Sequence, residues 1–181
     1  MREKLRVGIG YDAHRFANDR PLILGGVNVP HESGLLGHSD ADCLVHAIID
    51  ALLGAAAEGD IGEHFPDTSD KYKNISSLVL LSMTSELLGN KGYTISNIDS
   101  VIIAEKPKLS SFIPQMRENI ANALNLDVKC VSVKATTEEG MGFTGDRLGI
   151  AAKAVALLQN TEKPIPRLNP QKSLCSPDIN H

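Results

Sequence analysis

Residues 38–58 read HSDADCLVHAIIDALLGAAAE. Leu44, Ala47, Ile48, Ala51 and Leu52 recur at helical spacing on one apolar face, so the stretch predicts a helix running to about Glu58. Ser39 or Asp40 stands where a side-chain oxygen would cap its start. Toward the N-terminus, Leu5 to Phe16 reads as a strand with glycines at 8 and 10, and LILGGVNV (22–29) as a tight hairpin about Gly25-Gly26. Toward the C-terminus, EGDIGEHFPDTSDKY (58–72) reads as a loop. A second helix is expected over Ile75 to Asn90, closed by Gly89 and Gly92. Thr94 to Glu105 reads as a strand. SFIPQMRENIANALNL (111–126) reads as a helix with Pro114 near its first turn, and Val128 to Ala135 as an alternating strand. EEGMGFTGDRLG (138–149) reads as a glycine-rich loop. Ile150 to Leu158 fits two readings: its alanines favour a helix, but IAAKAVALL also suits a buried strand. Strands alternating with helices imply an α/β or α+β sandwich.

The chain has 181 residues, enough for one domain with its own core, taken as 1–159. Beyond Gln159 the composition shifts to four prolines and few large apolar residues, so 160–181 is expected to be a flexible tail. A net charge of −4, no run of Lys or Arg, and 4% aromatics without Trp argue against a nucleic-acid partner. Cys43, Cys130 and Cys175 are far apart and form no CxxC, which argues against a disulfide framework or a cysteine zinc site and fits a reducing cytoplasm. The sequence holds no run of about eighteen apolar residues, the length that spans a bilayer. The charged start, MREKLRVGIGYDAHRF, has no apolar signal core. A cytoplasmic protein with no membrane partner is the expectation.

Asp12 and His14 stand two apart on a predicted strand, so carboxylate and imidazole point to one side. His46 on the first helix completes a set of three. Asp/His₂ with an open fourth position is a catalytic zinc pattern, since structural zinc is usually closed by four protein ligands. A D-x-H pair alone is more often a surface feature. The crowding of His38, Ser39, Asp40, Asp42 and His46 into nine residues strengthens the metal reading, because such a cluster costs stability unless its charges are neutralised or solvated. Asp42 and Asp50 flank His46 at i−4 and i+4, where either could orient its ring.

Two further stretches suit anions. In KATTEEGMGFTG (134–145) a strand runs into two hydroxyls, two carboxylates and then glycines. Loop N–H groups with Thr136 and Thr137 could hold phosphate oxygens, and Glu138 or Glu139 an oxygen-loving cation such as Mg²⁺. Lys106 and Lys108 in AEKPKLS (104–110) could meet a phosphate; solvated charges at a strand end are the commoner case. DIGEHFPDT (60–68) reads equally as a connecting loop or a substrate cradle.

D-x-H near the start, HSDADCLVHAIIDALLGAAAEGDIGEHFPDT, AEKPKL and KATTEEGMGFTG, in that order, resemble the 2-C-methyl-D-erythritol 2,4-cyclodiphosphate synthase family across nearly all of residues 5–158. The resemblance implies an intramolecular phosphoryl transfer. 4-Diphosphocytidyl-2-C-methyl-D-erythritol 2-phosphate closes to the cyclic diphosphate and releases CMP. It implies Zn²⁺ on Asp12, His14 and His46, and a second divalent cation, Mg²⁺ or Mn²⁺, on Glu139. His38 and Thr137 match the pair that steadies the transition state. Ser39, Asp60, Ile61, Gly62, Phe65, Pro66, Asp67, Thr68 and Ser69 match contacts around the erythritol. Ala104, Glu105, Lys106, Pro107, Lys108, Leu109 and Ser110, with Ala135 and Thr136, match the cytidine pocket. Glu138 and Phe143 fall within the same substrate-binding stretches.

The fold so implied is a mixed four-stranded sheet with helices on one face, assembled as a homotrimer whose sheets face the three-fold axis and whose sites lie between subunits. It makes Ile150 to Leu158 a strand, with alanines suited to close packing of three sheets. Two positions depart from the family. Asp146 stands where an arginine usually follows F-T-G, with Arg147 next, so a diphosphate in the central cavity would be repelled unless Arg147 turned inward. Glu138 stands where threonine is common. The competing readings are a metal-dependent phosphohydrolase using the same metal to activate water, and a non-enzymatic trimer holding a structural metal or ligand.

Overall fold

The computed structural model describes residues 4–160, so Cys175 and the expected tail beyond Asn160 lie outside the described residues. The long first strand β1 (Lys4–Ala17) is followed by a hairpin, β2 (Leu22–Leu24) and β3 (Val27–Val29). Gly25 and Gly26 both have positive φ, 57° and 69°, as the tightest two-residue hairpin turn requires. A two-residue strand β4 (Gly34–Leu35) leads to helix α1 (Cys43–Ala56). Then come α2 (Ile61–His64), α3 (Ser77–Asn90), β5 (Tyr93–Ile103), α4 (Ile113–Leu124), β6 (Val131–Thr136), α5 (Gly142–Gly145) and β7 (Gly149–Asn160).

The main sheet has five strands in the order β4-β1-β7-β5-β6, one more than expected. The extra strand β4 pairs only with Phe16 and Ala17, too short a segment to leave an alternating pattern. β5 and β6 are parallel and the other pairs antiparallel. β7 takes the strand reading of residues 150–158 and pairs with both β1 and β5. Burial between two strands and under a helix outweighs the helix propensity of its alanines.

Directly paired residues on antiparallel strands share a face. Gly8, Gly10 and Asp12 stand opposite Ala156, Ala154 and Ala152. This is the face that α1 covers. A Cβ at Gly8 would lie 2.0 Å from the Ala51 carbonyl oxygen, and one at Gly10 would lie 1.9 Å from that of Ala47. Only glycine lets the helix axis approach β1 so closely. Ala152, Ala154 and Ala156 therefore serve the helix contact, and of the β7 alanines only Ala151, opposite Ala13, stands on the other face expected for them. That opposite face carries Leu5, Val7, Ile9 and Tyr11, exposed by 60%, 67%, 74% and 51%, with Val155 and Lys153 beside them.

The cap of α1 is Asp42, not Ser39 or Asp40. Its carboxylate accepts from Val45 N–H at 3.1 Å and from Gly26 N–H at 2.7 Å, tying the hairpin turn to the helix start. Asp42 is fully buried, and burial together with nearby Asp40 pushes its carboxyl up to about 6. Residues 128–130 form a 3₁₀ turn before β6, and α5 interrupts the glycine-rich loop.

Candidate active site

The glycines that draw α1 onto β1 also fix the site. Asp12 and His14 continue the face of Gly8 and Gly10, and His46 in the first turn of α1 comes down beside them. Asp12 Oδ2 lies 2.9 Å from His14 Nε2 and 3.0 Å from His46 Nδ1, and the two ring nitrogens are 3.2 Å apart. The three ligating atoms lie within 4.8 Å of one another, a group that could hold a metal ion. His14 Nδ1 donates to the Leu36 carbonyl at 2.7 Å, which leaves the Nε2 lone pair aimed at the centre of the group. A carboxylate and imidazole lone pairs turned on one another repel unless a cation or proton lies between them. This donor set fits a divalent metal.

Burial alone would raise the Asp12 carboxyl, but hydrogen bonds and charge from His14 and His46 outweigh it and hold the group well below the carboxylate range. Burial would lower His14; its hydrogen bond to Asp12 and the Asp12 charge win, and its pKa is raised above the ordinary 6.5.

Neither helix carboxylate expected to orient His46 does so. Asp42 is the helix cap, and Asp50 accepts from Ile61 N–H at 2.8 Å, fixing the turn into α2. His46 Nε2 instead lies 3.1 Å from Ser39 Oγ and 2.9 Å from Ser77 Oγ, and the Ser77 hydroxyl makes a short hydrogen bond to Asp40. Ser77 had no signal in the sequence beyond standing near a helix start.

The three metal-site residues open into a cavity of about 420 Å³ that His38, Ser39, Ile61, Gly62, Phe65 and Asp67 also line, with Gly37, Tyr72 and Leu80. His38 Nε2 lies 3.0 Å from the Ser69 carbonyl oxygen. Arg20 donates to the carbonyls of Gly37 and Ser39 at 2.6 and 2.5 Å, bracketing His38. Asp60 caps α2, accepting from Glu63 N–H at 3.0 Å. Asp60, Pro66, Thr68 and Ser69 belong to the same turns but not to the cavity lining.

A second cavity of about 360 Å³ is lined by Ala104, Glu105, Pro107, Lys108, Leu109, Ser110, Ala135, Thr136 and Thr137. Glu105 accepts from the N–H groups of Glu138 and Gly140 at 3.2 and 3.1 Å. Thr137 Oγ1 donates to Glu139 at 3.0 Å, and Glu139 has φ +53° on the exposed rim. Glu138 accepts a short hydrogen bond from Thr144. Lys106, Glu138, Glu139 and Phe143 line neither cavity. Asp146 and Arg147 are both exposed, and Arg147 adopts φ +58°.

The two cavities have no lining residue in common, so His38 and Thr137 are not brought together. Asp12, Ala152, Ile102 and Ala135 form one row across β1, β7, β5 and β6. Three strand spacings separate the backbones at its ends by about 14 Å.

The YgbB family profile matches residues 5–159. The chain is similar to 2-C-methyl-D-erythritol 2,4-cyclodiphosphate synthase of Clostridium kluyveri, 62% identical over 88% of this chain and 97% of that protein. The same enzyme of Clostridium perfringens is 60% identical over 85% and 99%. Among solved structures, the Plasmodium falciparum IspF–CDP complex aligns with a TM-score of 0.77 and 34% identity, over 90% of this chain and all of that one. The bifunctional IspDF of Campylobacter jejuni aligns with a TM-score of 0.85 and 42% identity, over 89% of this chain and 44% of that longer one.

Proposed function

The chain belongs to the YgbB family and has the activity of the cyclodiphosphate synthases it matches, and from that premise we propose how its residues divide the reaction. The substrate is 4-diphosphocytidyl-2-C-methyl-D-erythritol 2-phosphate. An oxygen of its 2-phosphate attacks its own β-phosphorus, the bond from that phosphorus to the bridging oxygen breaks, and CMP leaves with the oxygen. The product is 2-C-methyl-D-erythritol 2,4-cyclodiphosphate, in the non-mevalonate route to isoprenoid precursors. An intramolecular attack needs no protein nucleophile. It needs a folded substrate and neutralised charge.

The observation that carries this reading is the convergence of Asp12, His14 and His46. They would hold zinc, and Glu139 a second cation, magnesium or manganese. Held by those residues, such ions would supply Lewis-acid polarisation of the diphosphate and offset its developing charge. His38 and Thr137 hold the diphosphate in line for attack. Ser39, Asp60, Ile61, Gly62 and the turn from Phe65 to Ser69 contact the erythritol. Ala104 to Ser110, Ala135 and Thr136 take the cytidine, a role supported by the second cavity, and the CDP complex of the Plasmodium relative supports a cytidine nucleotide as a ligand. A phosphohydrolase would use the metal cavity but has no need of the second one.

Residues 1–159 act as one catalytic domain within a homotrimer. Two halves of one site about 14 Å apart in the same sheet call for a neighbour to supply one of them. The bare apolar face of Leu5, Val7, Ile9 and Tyr11 supports three sheets meeting at an axis. Phe143, Asp146 and Arg147 would line the axis mouth. Among the described residues no helix is long and apolar enough to cross a membrane, and the cytoplasm is the proposed location.

Incubating the purified protein with the cytidyl substrate and divalent metal tests the reading. CMP and the cyclic diphosphate are expected in equal amounts. Inorganic phosphate in place of the cyclic product would overturn it in favour of the hydrolase.

A further inference from the structure

We propose that Ser77, held by Asp40, is a positioning residue that decides which nitrogen of His46 faces the metal, an inference that rests on the metal reading of Asp12, His14 and His46. Ser77 opens α3, is fully buried, and stands 31 residues from His46 in sequence. Its hydroxyl does not cap the helix, since the capping position is Ser76 and no side chain there bonds the backbone.

The argument is one of proton counting. A serine hydroxyl has a single proton to give. That of Ser77 goes to Asp40 Oδ1 in a short hydrogen bond. Asp40 is placed to accept it. Its Oδ2 already receives Ser77 N–H at 2.9 Å and its Oδ1 receives Asp42 N–H at 3.2 Å, so both oxygens face donors. Only lone pairs of Ser77 Oγ remain for His46 Nε2, 2.9 Å away. Ser39 Oγ, 3.1 Å from the same nitrogen, already accepts Ala41 N–H and can give or take a proton toward the ring, so Ser77 is the contact that fixes the direction. His46 must therefore donate through Nε2. A neutral imidazole carries one N–H, so Nδ1 keeps its lone pair and turns it toward Asp12 and His14. In the other tautomer Nδ1–H would point at Asp12 and His46 could not ligate. Buried and committed to Asp40, Ser77 is not available as a nucleophile. Its part is to set His46 before a metal arrives, and the tie from Asp40 makes the N-terminus of α3 part of the metal site.

Zinc affinity, read by competition with a chromophoric chelator, tests this without turnover. Ser77→Ala should weaken zinc binding at least about tenfold, the range for loss of a partner that orients a metal-bound histidine. In zinc-loaded wild type, long-range ¹H–¹⁵N spectra of the ring should show His46 ligating through Nδ1 and protonated at Nε2. Wild-type affinity in Ser77→Ala overturns the proposal and leaves the metal reading intact. Wild-type affinity no better than that of His46→Ala overturns both. Should Ser77→Ala fail to fold, the wild-type ring spectrum decides: ligation through Nε2 overturns the proposal.

Discussion

The metal cavity and the second cavity stand at the two ends of one row across the sheet, and they are built differently. Around Asp12, His14 and His46, every approach is fixed from behind. Glycines 8 and 10 bring the helix down, Leu36 holds one ring and Ser77 contacts the other. At the far end, Thr137, Glu138 and Glu139 are exposed, and Glu139 sits in a left-handed backbone conformation. Glu105 is the brace beneath them. One half is finished within a single chain. The other presents groups outward, as a surface does when something outside completes it. Prebuilt geometry spares a metal the cost of gathering its ligands; a flexible diphosphate can be met by a rim.

The largest expected effect separates these halves. His46→Ala should lower CMP release at least about 1000-fold, since Lewis-acid charge stabilisation is worth several kcal/mol and each 1.36 kcal/mol is about tenfold. Its zinc content after dialysis should fall to background. Glu139→Gln should cost about 10- to 100-fold in kcat while leaving zinc content at the wild-type level. Equal losses of turnover, or zinc lost from Glu139→Gln, would mean that the halves are not built independently.

Acidity sharpens the contrast next. Without metal, the raised His14 pKa gives a stabilising contribution that is fully present below 6.5 and lost as pH rises through the folded value. The lowered Asp12 pKa gives one that is present above 3.8 and lost as pH falls through its folded value. The metal-free triad thus stabilises the fold most between those two ordinary values. A metal must displace the proton on His14, so zinc affinity should fall about tenfold per pH unit below the raised His14 value. Cytidine, which carries no phosphate to titrate in this range and displaces no triad proton, is the internal control. Calorimetric titration of each ligand from pH 5.5 to 8 separates them; zinc affinity flat across that range would break the account.

These differences track what was legible in the residues. Asp12 and His14 could be read because a strand has period two, and His46 because its helix repeats its apolar face at regular spacing. The second cavity was legible as a resemblance rather than as geometry: nothing in AEKPKLS or KATTEEG says that β5 and β6 run parallel and bring them together. The cap of α1 was misread because Ser39, Asp40 and Asp42 are all capping residues, and the deciding contact is Gly26 N–H, far away in the chain. Ser77 was invisible for the same reason. Ala152, Ala154 and Ala156 of β7 face α1 rather than the opposite side expected of them, since register with Gly8 and Gly10 fixes their side and register is a property of pairing, not of one strand.

The smallest expected effect tests the brace. Glu105 gives one oxygen to two N–H groups, those of Glu138 and Gly140, which flank Glu139. Cutting it back to alanine frees both donors at an exposed rim, where water replaces the lost acceptor, so the loss is nearer about 1 kcal/mol than the several that burial would bring. Glu105→Ala should therefore reduce kcat about fivefold, with zinc content unchanged. Glu105→Gln keeps an acceptor oxygen in the same place and should recover most of the rate. An alanine variant as fast as wild type would mean that Thr137 with Glu139 and Thr144 with Glu138 hold the loop unaided. The second half would then be as prebuilt as the first, and its exposure would reflect only its place at the rim, not a looser construction.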